Sequence, residues 1–451
     1  MDLYIDHPVY DNFLNLWDLY GKSYDVIKIS TFFVLTCHAR RFYPLYFGKE
    51  LIDGRLHAFY IMRAGTGKTS IYDMMNTTIT HIPNEVFSTS DRLHVDHLIG
   101  KKVVSREDNP DYVIGKSKKK FIDVMKDNKG ILSKDFVAFD EAQVILKDER
   151  KEEIRSTLKK AMNTIGNNEV IKHRVDVSFD DPIRYRPTCT IVFFMQPMPI
   201  DFSTLSTGLM RRGILLYIKP SMDEVWNGLG EKVINVVNET RLNSSWKKWI
   251  KFLCDLKGSS SLETYVRRNN VVEFTDGTME EMFSMTNKIN KRLIGKIIGP
   301  ANDLLNSMQS DIMRNMLRVS SIISIMERHE QVEVDDITRA GKYLYWMVNS
   351  SLKFVEEWAT ASVSRNLEEN MIQSLKYLYD TNATSYKESV LYDELVTFIK
   401  NNTGLAKETI RKQEINKMKK LGLIETKGTK RARVWITEKG LNKVMRNDGR
   451  A

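Results

Sequence analysis

The most restrictive feature of the sequence is a glycine-rich run between an apolar stretch and a helical one. Residues 61–70 read Ile-Met-Arg-Ala-Gly-Thr-Gly-Lys-Thr-Ser, at the end of the apolar residues 56–62. Gly65 and Gly67 allow successive backbone amides to face one point at the positive end of a helix dipole. This strand–loop–helix order predicts an α/β domain with a loop that binds phosphate.

The residues after the glycines supply the groups that a nucleoside triphosphate needs. Lys68 can reach the β- and γ-phosphates, and the Thr69 hydroxyl is a suitable ligand for Mg²⁺. From Lys68 and Thr69 we predict ATP and Mg²⁺ as cofactors. The loop is a variant, because Met62 stands where the full pattern has its first glycine. The residues predicted to line the nucleotide site in this loop are Ala64, Gly65, Thr66, Gly67, Lys68, Thr69 and Ser70.

Two further apolar runs end in polar side chains. Phe136–Phe139 is followed by Asp140 and Glu141. We predict that Asp140 holds Mg²⁺ through water and that Glu141 orients and deprotonates the attacking water. The run Thr190–Met195 ends at Gln196, whose amide could hold that water or the γ-phosphate, or could instead satisfy loop backbone. Without the upstream loop, an Asp-Glu pair after apolar residues would be read as chain entering solvent.

Four arginines are candidates for contact with the nucleotide. Arg211 and Arg212 precede the apolar run 214–218, and they could project to the nucleotide of a neighbouring subunit and stabilise transition-state charge. Arg314 and Arg318 lie on a predicted helix and could contact the nucleotide from above. The alternative for Arg211 and Arg212 is that they are surface arginines at a helix end, and Arg314 and Arg318 could equally lie on a solvated face. The residues predicted to act in catalysis are Lys68, Glu141, Gln196, Arg211 and Arg212.

The length of 451 residues suggests about three domains. Residues 1–50 are dense in aromatic side chains and predict a helical collar. Residues 51–220 alternate apolar runs with helical stretches, which predicts an α/β core with a parallel sheet. Residues 221–362 are helical and predict a lid. Residues 363–451 predict a winged helix-turn-helix, with helix, helix, turn, helix and a two-stranded basic ribbon in that order.

The positive charge is concentrated near the carboxyl terminus. The chain has 68 Lys and Arg against 58 Asp and Glu, a net charge of +10, and residues 411–433 hold nine basic and two acidic residues. That excess predicts salt-dependent contact with phosphates, although a solvated face is the alternative. Lys172 and Arg174 lie between β-branched residues and predict a basic hairpin tip. The predicted DNA-contacting residues are Lys172, Arg174, Arg411, Lys412, Lys427, Lys430, Arg431 and Arg433.

Several classes of protein are disfavoured by the sequence. Cys37, Cys189 and Cys254 lie far apart, so a zinc site or a disulfide framework is not expected. No apolar run approaches the ~20 residues that a membrane-spanning helix needs. We therefore expect a cytoplasmic protein that does not contact a membrane.

Taken in order, these parts resemble the AAA+ ATPases, and among them the MCM-like replicative helicase clade of the mobile-element or viral type. The similar features are the phosphate loop, the strand ending Asp140-Glu141, the strand ending in an amide, the Arg211-Arg212 pair before a strand, and the helical lid. The winged helix also matches the domain order of the family. Met62 and Gln196 differ from the family pattern, and no large amino-terminal oligonucleotide-binding domain is expected before residue 51.

The resemblance implies an ATP-dependent DNA helicase or translocase of replication, working as a hexameric ring with ATP between subunits. Its partners would be single-stranded or forked DNA, other copies of the chain and other replication proteins. The alternative is an AAA+ initiator, loader or transposition regulator that uses ATP as an assembly switch. A third hypothesis is a DNA-binding protein whose ATPase domain has lost its activity.

Overall fold

The structure is a computed structural model, and its chain divides into two compact units. Unit 1 comprises Met1–Pro197 and Thr204–Phe354, and unit 2 comprises Met198–Ser203 and Val355–Ala451. The residues that the structure describes are 7–17, 25–63, 65–81, 87–89, 95–108, 121–143, 145, 152–172, 183–197, 208–219, 239–293, 300–355, 357, 367–403, 410–428 and 432–447.

Unit 1 combines helices with four sheets of two or five strands. Its helices are α1 (Pro8–Leu16), α2 (Asp25–Ala39), α3 (Lys68–Thr80), α4 (Val95–Ile99), α5 (Glu152–Ala161), α6 (Glu239–Lys257), α7 (Leu262–Val266), α8 (Thr278–Leu293), α9 (Pro300–Glu327) and α10 (Val334–Phe354). Its strands are β1 (Leu45–Phe47), β2 (Glu50–Ile52), β3 (His57–Met62), β4 (Phe87–Thr89), β5 (Gly100–Asp108), β6 (Phe121–Lys129), β7 (Phe136–Phe139), β8 (Val170–Lys172), β9 (Ile183–Tyr185), β10 (Thr190–Met195) and β11 (Gly213–Ile218).

Five parallel strands form the central sheet, in the order β11–β3–β10–β7–β4. In this register, Val192 of β10 lies between Ala58 of β3 and Ala138 of β7. The predicted α/β class with a parallel sheet is confirmed, and β4 is a strand that the sequence analysis does not predict. Because the strands run in one direction, their carboxyl ends share one edge of the sheet, where α/β proteins commonly bind ligands.

The sheet is apolar on both faces. Every residue of β3, β7, β10 and β11 is buried, as expected when helices cover both faces of a parallel sheet. The Phe59 and Phe193 rings stack with centroids 4.4 Å apart, and the Phe139 and Phe193 rings stack at 5.4 Å. This row of aromatic rings holds the three neighbouring strands in register.

The amino-terminal helices belong to the core of unit 1. Helix α2 has twelve buried residues, and hydrogen bonds join it to both the sheet and α10. The Thr31 and Tyr60 hydroxyls are 3.1 Å apart, and Tyr343 of α10 donates a 2.9 Å bond to the Ser30 hydroxyl. The segment predicted as a collar therefore fills space between the sheet and α10.

The predicted lid also packs on the sheet. The Ser350 hydroxyl of α10 accepts a 2.8 Å bond from the Tyr217 amide and donates a 3.0 Å bond to the Tyr217 carbonyl. Since β11 is the last strand on its side, these bonds satisfy backbone groups at a sheet edge. Helix α10 is thus fixed against β11.

Two hairpins are inserted into the sequence of the central sheet. The nine-residue strands β5 and β6 pair along their whole length, and this hairpin is not predicted from the sequence. Strands β8 and β9 form a shorter antiparallel pair where the basic hairpin is predicted. The connections, residues 109–120 and 173–182, lie outside the described residues.

Unit 2 is a small helical domain with a three-stranded antiparallel sheet in the order β12–β14–β13. Its elements are α11 (Leu367–Asp380), β12 (Val390–Leu391), α12 (Tyr392–Thr403), a π-helical turn (Ile410–Ile415) that continues into α13 (Asn416–Lys420), β13 (Ile424–Lys427), β14 (Arg433–Ile436) and α14 (Glu438–Asn447). Its core includes Leu375, Leu395, Met418 and Val434. The three helices and the ribbon follow the predicted order, whereas β12 and α14 are additional.

The helices in the described part of the chain include none that is both long and apolar enough to cross a membrane.

Candidate functional site

The loop between β3 and α3 presents backbone amides without side-chain caps. Gly65 and Gly67 have φ of 78° and 90°, a left-handed conformation that residues with a Cβ rarely adopt. Gly67 is the N-cap of α3, and no described side chain caps this helix end. The first amides of α3 therefore point at a space where an anion would complete their hydrogen bonding. Ala64 lies outside the described residues.

Lys68 begins α3 and lies beside the two carboxylates that follow β7. Its Nζ is 3.4 Å from Asp140 Oδ1 and 3.3 Å from Glu141 Oε1, and its side chain is only 12% exposed. Thr69 and Ser70 occupy the next positions of the first helical turn. The parallel register thus brings together the loop and the carboxylates, which are about seventy residues apart in the sequence.

The turn after β7 is held in an unusual conformation. Glu141 has a φ of 52°, which is uncommon for a residue with a side chain and costs about 1 kcal/mol. Its amide donates a 2.9 Å bond to Asp140 Oδ1, and the next amide, of Ala142, donates a 3.0 Å bond to the Phe194 carbonyl in β10. These bonds fix the direction in which both carboxylates leave the sheet.

Two glutamines support Glu141. Gln143 donates a hydrogen bond to Glu141 Oε2 and accepts a 3.2 Å bond from the Gln196 amide at the end of β10. Partial burial opposes ionisation of Glu141, but the bonds from Gln143, Lys68 and Gln196 and the charge of Lys68 hold its pKa below the ordinary value. Glu141 is therefore an ionised, half-exposed carboxylate that water can reach.

Gln143 is a site residue that the sequence analysis does not include. Its signal in the sequence is weak, because it stands two residues after Glu141 in a stretch that carries no recognisable motif. Only the left-handed turn at Glu141 brings its side chain back to that carboxylate.

The site suits Mg²⁺ bound together with phosphates. Among the described residues, no three His, Cys, Asp or Glu side chains converge as a metal site. Mg²⁺ is usually held by one or two carboxylates with phosphate oxygens and water, so such a cluster is not needed. Asp140, which is 54% exposed, and the Thr69 hydroxyl are the groups present for that role.

Arg211 and Arg212 lie at the opposite end of the sheet. They form the turn before β11, in which Gly213 pairs with His57 and Ile218 pairs with Met62. Five residues of strand separate this turn from the loop, a distance of roughly 17 Å. The arginines therefore do not meet Lys68 of their own chain.

Contacts within the chain hold both arginines. Arg211 donates a 3.0 Å bond to the Ser307 carbonyl, and Arg212 donates a 2.7 Å bond to Asn163 Oδ1. The Nε of Arg211 is 3.7 Å from Asp311 Oδ2, too far for a hydrogen bond, and this buried donor has no other partner in the described structure. Arg211 is thus an incompletely satisfied cation.

The structure places Arg314 near Arg211, with which it shares Asp311, and its contacts in the described structure do not include Lys68 of the same chain. Arg314 is 2.7 Å from Glu50 and 3.3 Å from Asp311, on the side of the sheet where β3 begins. Arg318 is buried and donates a 2.9 Å bond to the Asp53 carbonyl, so its role is structural.

The predicted DNA-contacting residues fall in three places. Lys172 ends β8, and Arg174 lies outside the described residues. In unit 2, Arg411 is exposed and 3.0 Å from Asp393, and Lys412 lies in the same π-helical turn. Lys427 and Arg433 are paired residues of β13 and β14. The remaining two, Lys430 and Arg431, lie outside the described residues.

No family model matches the sequence, and no curated protein matches it. The function is therefore inferred from the geometry of the site.

Proposed function

We propose that this protein is an ATP hydrolase of the AAA+ type, built on a P-loop core with a helical lid and a carboxyl-terminal winged helix. The proposal rests on one observation. Lys68, Glu141 and Gln196 come from three separate stretches of sequence and meet at the carboxyl ends of three adjacent parallel strands. An uncapped helix end with a lysine, facing an ionised carboxylate, is the arrangement that phosphoryl transfer to water requires.

Each residue then has a defined task. The amides of the Gly65–Lys68 loop and the Lys68 ammonium bind the phosphates. Glu141 accepts the proton of the attacking water, while Gln143 and Gln196 hold the Glu141 carboxylate in place. When bound, Mg²⁺ would neutralise charge on the β- and γ-phosphate oxygens, with Thr69 as a ligand and Asp140 holding the ion through water.

The position of the arginines supports sites that are completed by a second subunit. Arg211 and Arg314 share the Asp311 carboxylate and both carry a buried Nε without a hydrogen-bond partner in the described structure. Because the turn that holds Arg211 is roughly 17 Å from the loop of its own chain, Arg211 would reach a triphosphate across a subunit interface, with Arg314 beside it. A closed ring of such contacts, with six members as the family resemblance implies, is the assembly we propose.

Two basic elements favour DNA as the partner. Lys172 is the last residue of β8, and unit 2 exposes Arg411, Lys427 and Arg433. Positive groups at these positions would bind phosphates with little sequence preference. We therefore propose that ATP hydrolysis drives movement along DNA or separation of its strands during replication.

The test is Glu141→Gln, which keeps the shape of the side chain and removes the base. We expect ATP binding within about threefold of the unchanged protein and turnover lower by ~100-fold or more. Glu280→Gln, an exposed residue of α8, is the matched control and should keep normal turnover. Binding is measured with a fluorescent ATP analogue and turnover by phosphate release. Normal turnover in Glu141→Gln would remove Glu141 from the mechanism.

The second candidate is an initiator or loader in which ATP controls assembly. It is favoured by the internal contacts of Arg211 and Arg212, because assembly must exchange these contacts for the nucleotide of a neighbour. A strand-displacement assay on forked DNA separates the two functions. We expect displacement by the unchanged protein and its loss in Lys172→Ala. Hydrolysis without displacement under any loading condition supports the assembly function instead.

A further inference from the structure

The outer face of the ribbon in unit 2 combines aromatic and cationic side chains. In β14, Val434 and Ile436 are buried, so the alternate residues Arg433 and Trp435 lie on the opposite face. Arg433 pairs across the ribbon with Lys427, and Trp435 pairs with Glu425. This face is therefore built by the regular alternation of the two strands.

A tyrosine from the preceding loop lies over this face. The Tyr386 ring is 50% exposed, and its centroid is 5.7 Å from that of Trp435 at an interplanar angle of 77°. The Lys427 ammonium lies 5.2 Å from the centre of the Tyr386 ring. Arg433 donates long hydrogen bonds to the carbonyl and hydroxyl of Ser389, at 3.4 and 3.5 Å. The loop and the ribbon thus form one surface.

We call Tyr386, Lys427, Arg433 and Trp435 the stacking face. Among the described residues, its two cations contact uncharged groups: Lys427 lies over the Tyr386 ring, and Arg433 bonds to Ser389. Their positive charge therefore remains available to an anion. The exposed tyrosine adds a flat ring beside that charge.

We infer that the stacking face binds an unpaired base of single-stranded nucleic acid together with its adjacent phosphate. A base in a duplex has its faces covered by its neighbours, whereas an unpaired base can stack on an aromatic ring. Lys427 and Arg433 lie beside the Tyr386 ring on the ribbon. They could therefore bind the phosphates on either side of the stacked base. We favour a nucleic acid over a protein partner because Lys427 and Arg433 offer positive charge to a polyanion beside the exposed Tyr386 ring.

The choice of DNA over RNA rests on the proposed function. The inference that a base stacks on Tyr386 does not depend on that function. The site would place the single strand of a fork on unit 2, since it accepts unpaired bases in preference to duplex. Tyr386 and Trp435 are new functional residues, because the charge pattern alone points only to Lys427 and Arg433.

The experiment measures binding of the full-length protein, without nucleotide, to a labelled single strand and to the blunt duplex of the same sequence. We expect Tyr386→Ala to weaken single-strand binding about tenfold, with the duplex affected less than about twofold. Tyr386→Phe, the matched control, keeps the ring and should bind as the unchanged protein does. Because ATP is absent, failure of the proposed hydrolase leaves this result untouched.

Salt dependence separates stacking from charge. In Tyr386→Ala the slope of log affinity against log salt should stay unchanged, whereas Lys427→Ala should lower it by ~0.7. Binding of the single strand should also quench tryptophan fluorescence, and Trp435→Phe should remove part of this quench. An RNA strand run in parallel tests the choice of DNA.

Three outcomes would overturn the inference. Equal loss of single-strand and duplex binding in Tyr386→Ala would mean that no base stacks there. Unchanged binding of both would leave the face to a protein partner. A loss in Tyr386→Phe as large as in Tyr386→Ala would assign the effect to the hydroxyl rather than to the ring.

Discussion

Both ends of the central sheet carry charged side chains, but those at one end are buried and paired within the chain, whereas those at the other end are partly exposed. At the end where β3 begins, Asp53 and Arg55 are fully buried and joined by bonds of 2.8 and 3.0 Å. At the end where β3 finishes, Lys68 lies 3.3 to 3.4 Å from Asp140 and Glu141, which are about half exposed. The first cluster is complete within the chain, whereas the second leaves room for a ligand.

The buried cluster ties the base of the sheet together. Arg55 also donates hydrogen bonds to backbone carbonyls, and Asp53 Oδ2 accepts a 2.8 Å bond from the Ile165 amide. The carbonyls that accept from Arg55 belong to Ala161, Asn163, Pro187 and Cys189. A guanidinium with every donor used is a structural element rather than a binding group. Ligand-binding sites are expected where charged groups lack such hydrogen-bond partners within the chain.

The largest effect is predicted for the buried end. Asp53→Asn leaves the Arg55 charge buried without its counter-ion, so the free energy of unfolding should fall by ~3 kcal/mol or more. Burial raises the pKa of Asp53, but Arg55 outweighs it and holds the pKa below the ordinary value. The stabilisation is therefore present above about pH 4 and is lost as the pH falls further. Urea unfolding at several pH values measures both effects.

Asp311→Asn is the matched control for that prediction. Burial raises the pKa of Asp311 despite Arg211, Arg314 and Arg212 nearby, so its ionised form is not favoured by the fold. Replacing it should change the free energy of unfolding by less than ~1 kcal/mol. If Asp53→Asn is equally mild, the buried Asp53–Arg55 pair does not stabilise the base of the sheet in the way proposed.

The second effect concerns the exposed end. Gln143→Ala removes a hydrogen bond that lowers the pKa of Glu141. The pKa should rise, so the acidic limb of the pH–rate profile should move to higher pH. Turnover at neutral pH should fall about tenfold because Glu141 loses a bond that positions its carboxylate. ATP binding should stay unchanged, because Gln143 contacts the carboxylate rather than the loop.

Gln331→Ala provides the control for Gln143→Ala. Gln331 donates a 2.7 Å bond to Glu273, so its loss breaks a similar glutamine–glutamate bond away from the site. Its pH–rate profile should match that of the unchanged protein. A lower turnover in Gln143→Ala with an unshifted profile would assign Gln143 to structure alone.

The sequence predicts the exposed end of the sheet better than the buried one. Lys68, Asp140 and Glu141 follow apolar strands, and strand ends in a parallel sheet must meet. Asp53 and Arg55 carry no such signal, since their pairing depends on carbonyls contributed by residues 161–189. The sequence does not predict the β5–β6 hairpin because its strands are rich in charged residues and lack a long apolar run. The two strands are instead stabilised by pairing with each other. A helical pattern does not specify which end of a sheet the helix contacts, so the sequence alone cannot place Arg314 beside Glu50 and Asp311.

The smallest effect is expected at an ion pair that is neither fully buried nor half exposed. His329 Nδ1 is 3.0 Å from Asp336 Oδ2, and the histidine is 27% exposed while the aspartate is buried. The hydrogen bond to Asp336 raises the pKa of His329 more than burial lowers it. A partly exposed pair of this kind contributes ~0.5 kcal/mol.

Since the pKa of His329 is raised in the folded state, the stabilisation is present below the ordinary pKa near 6.5 and disappears as the pH rises above the folded value. His329→Ala should therefore lower the free energy of unfolding by ~0.5 kcal/mol at pH 6 and have no effect on this term at pH 8.5. His81→Ala, which removes a histidine bonded to the Thr77 carbonyl, is the control. Urea unfolding at the two pH values measures the difference. A loss of equal size at both pH values would mean that His329 packs against α10 without forming an ion pair. The contrast between the two ends of the sheet would then apply only to charges that are fully buried or that face a ligand.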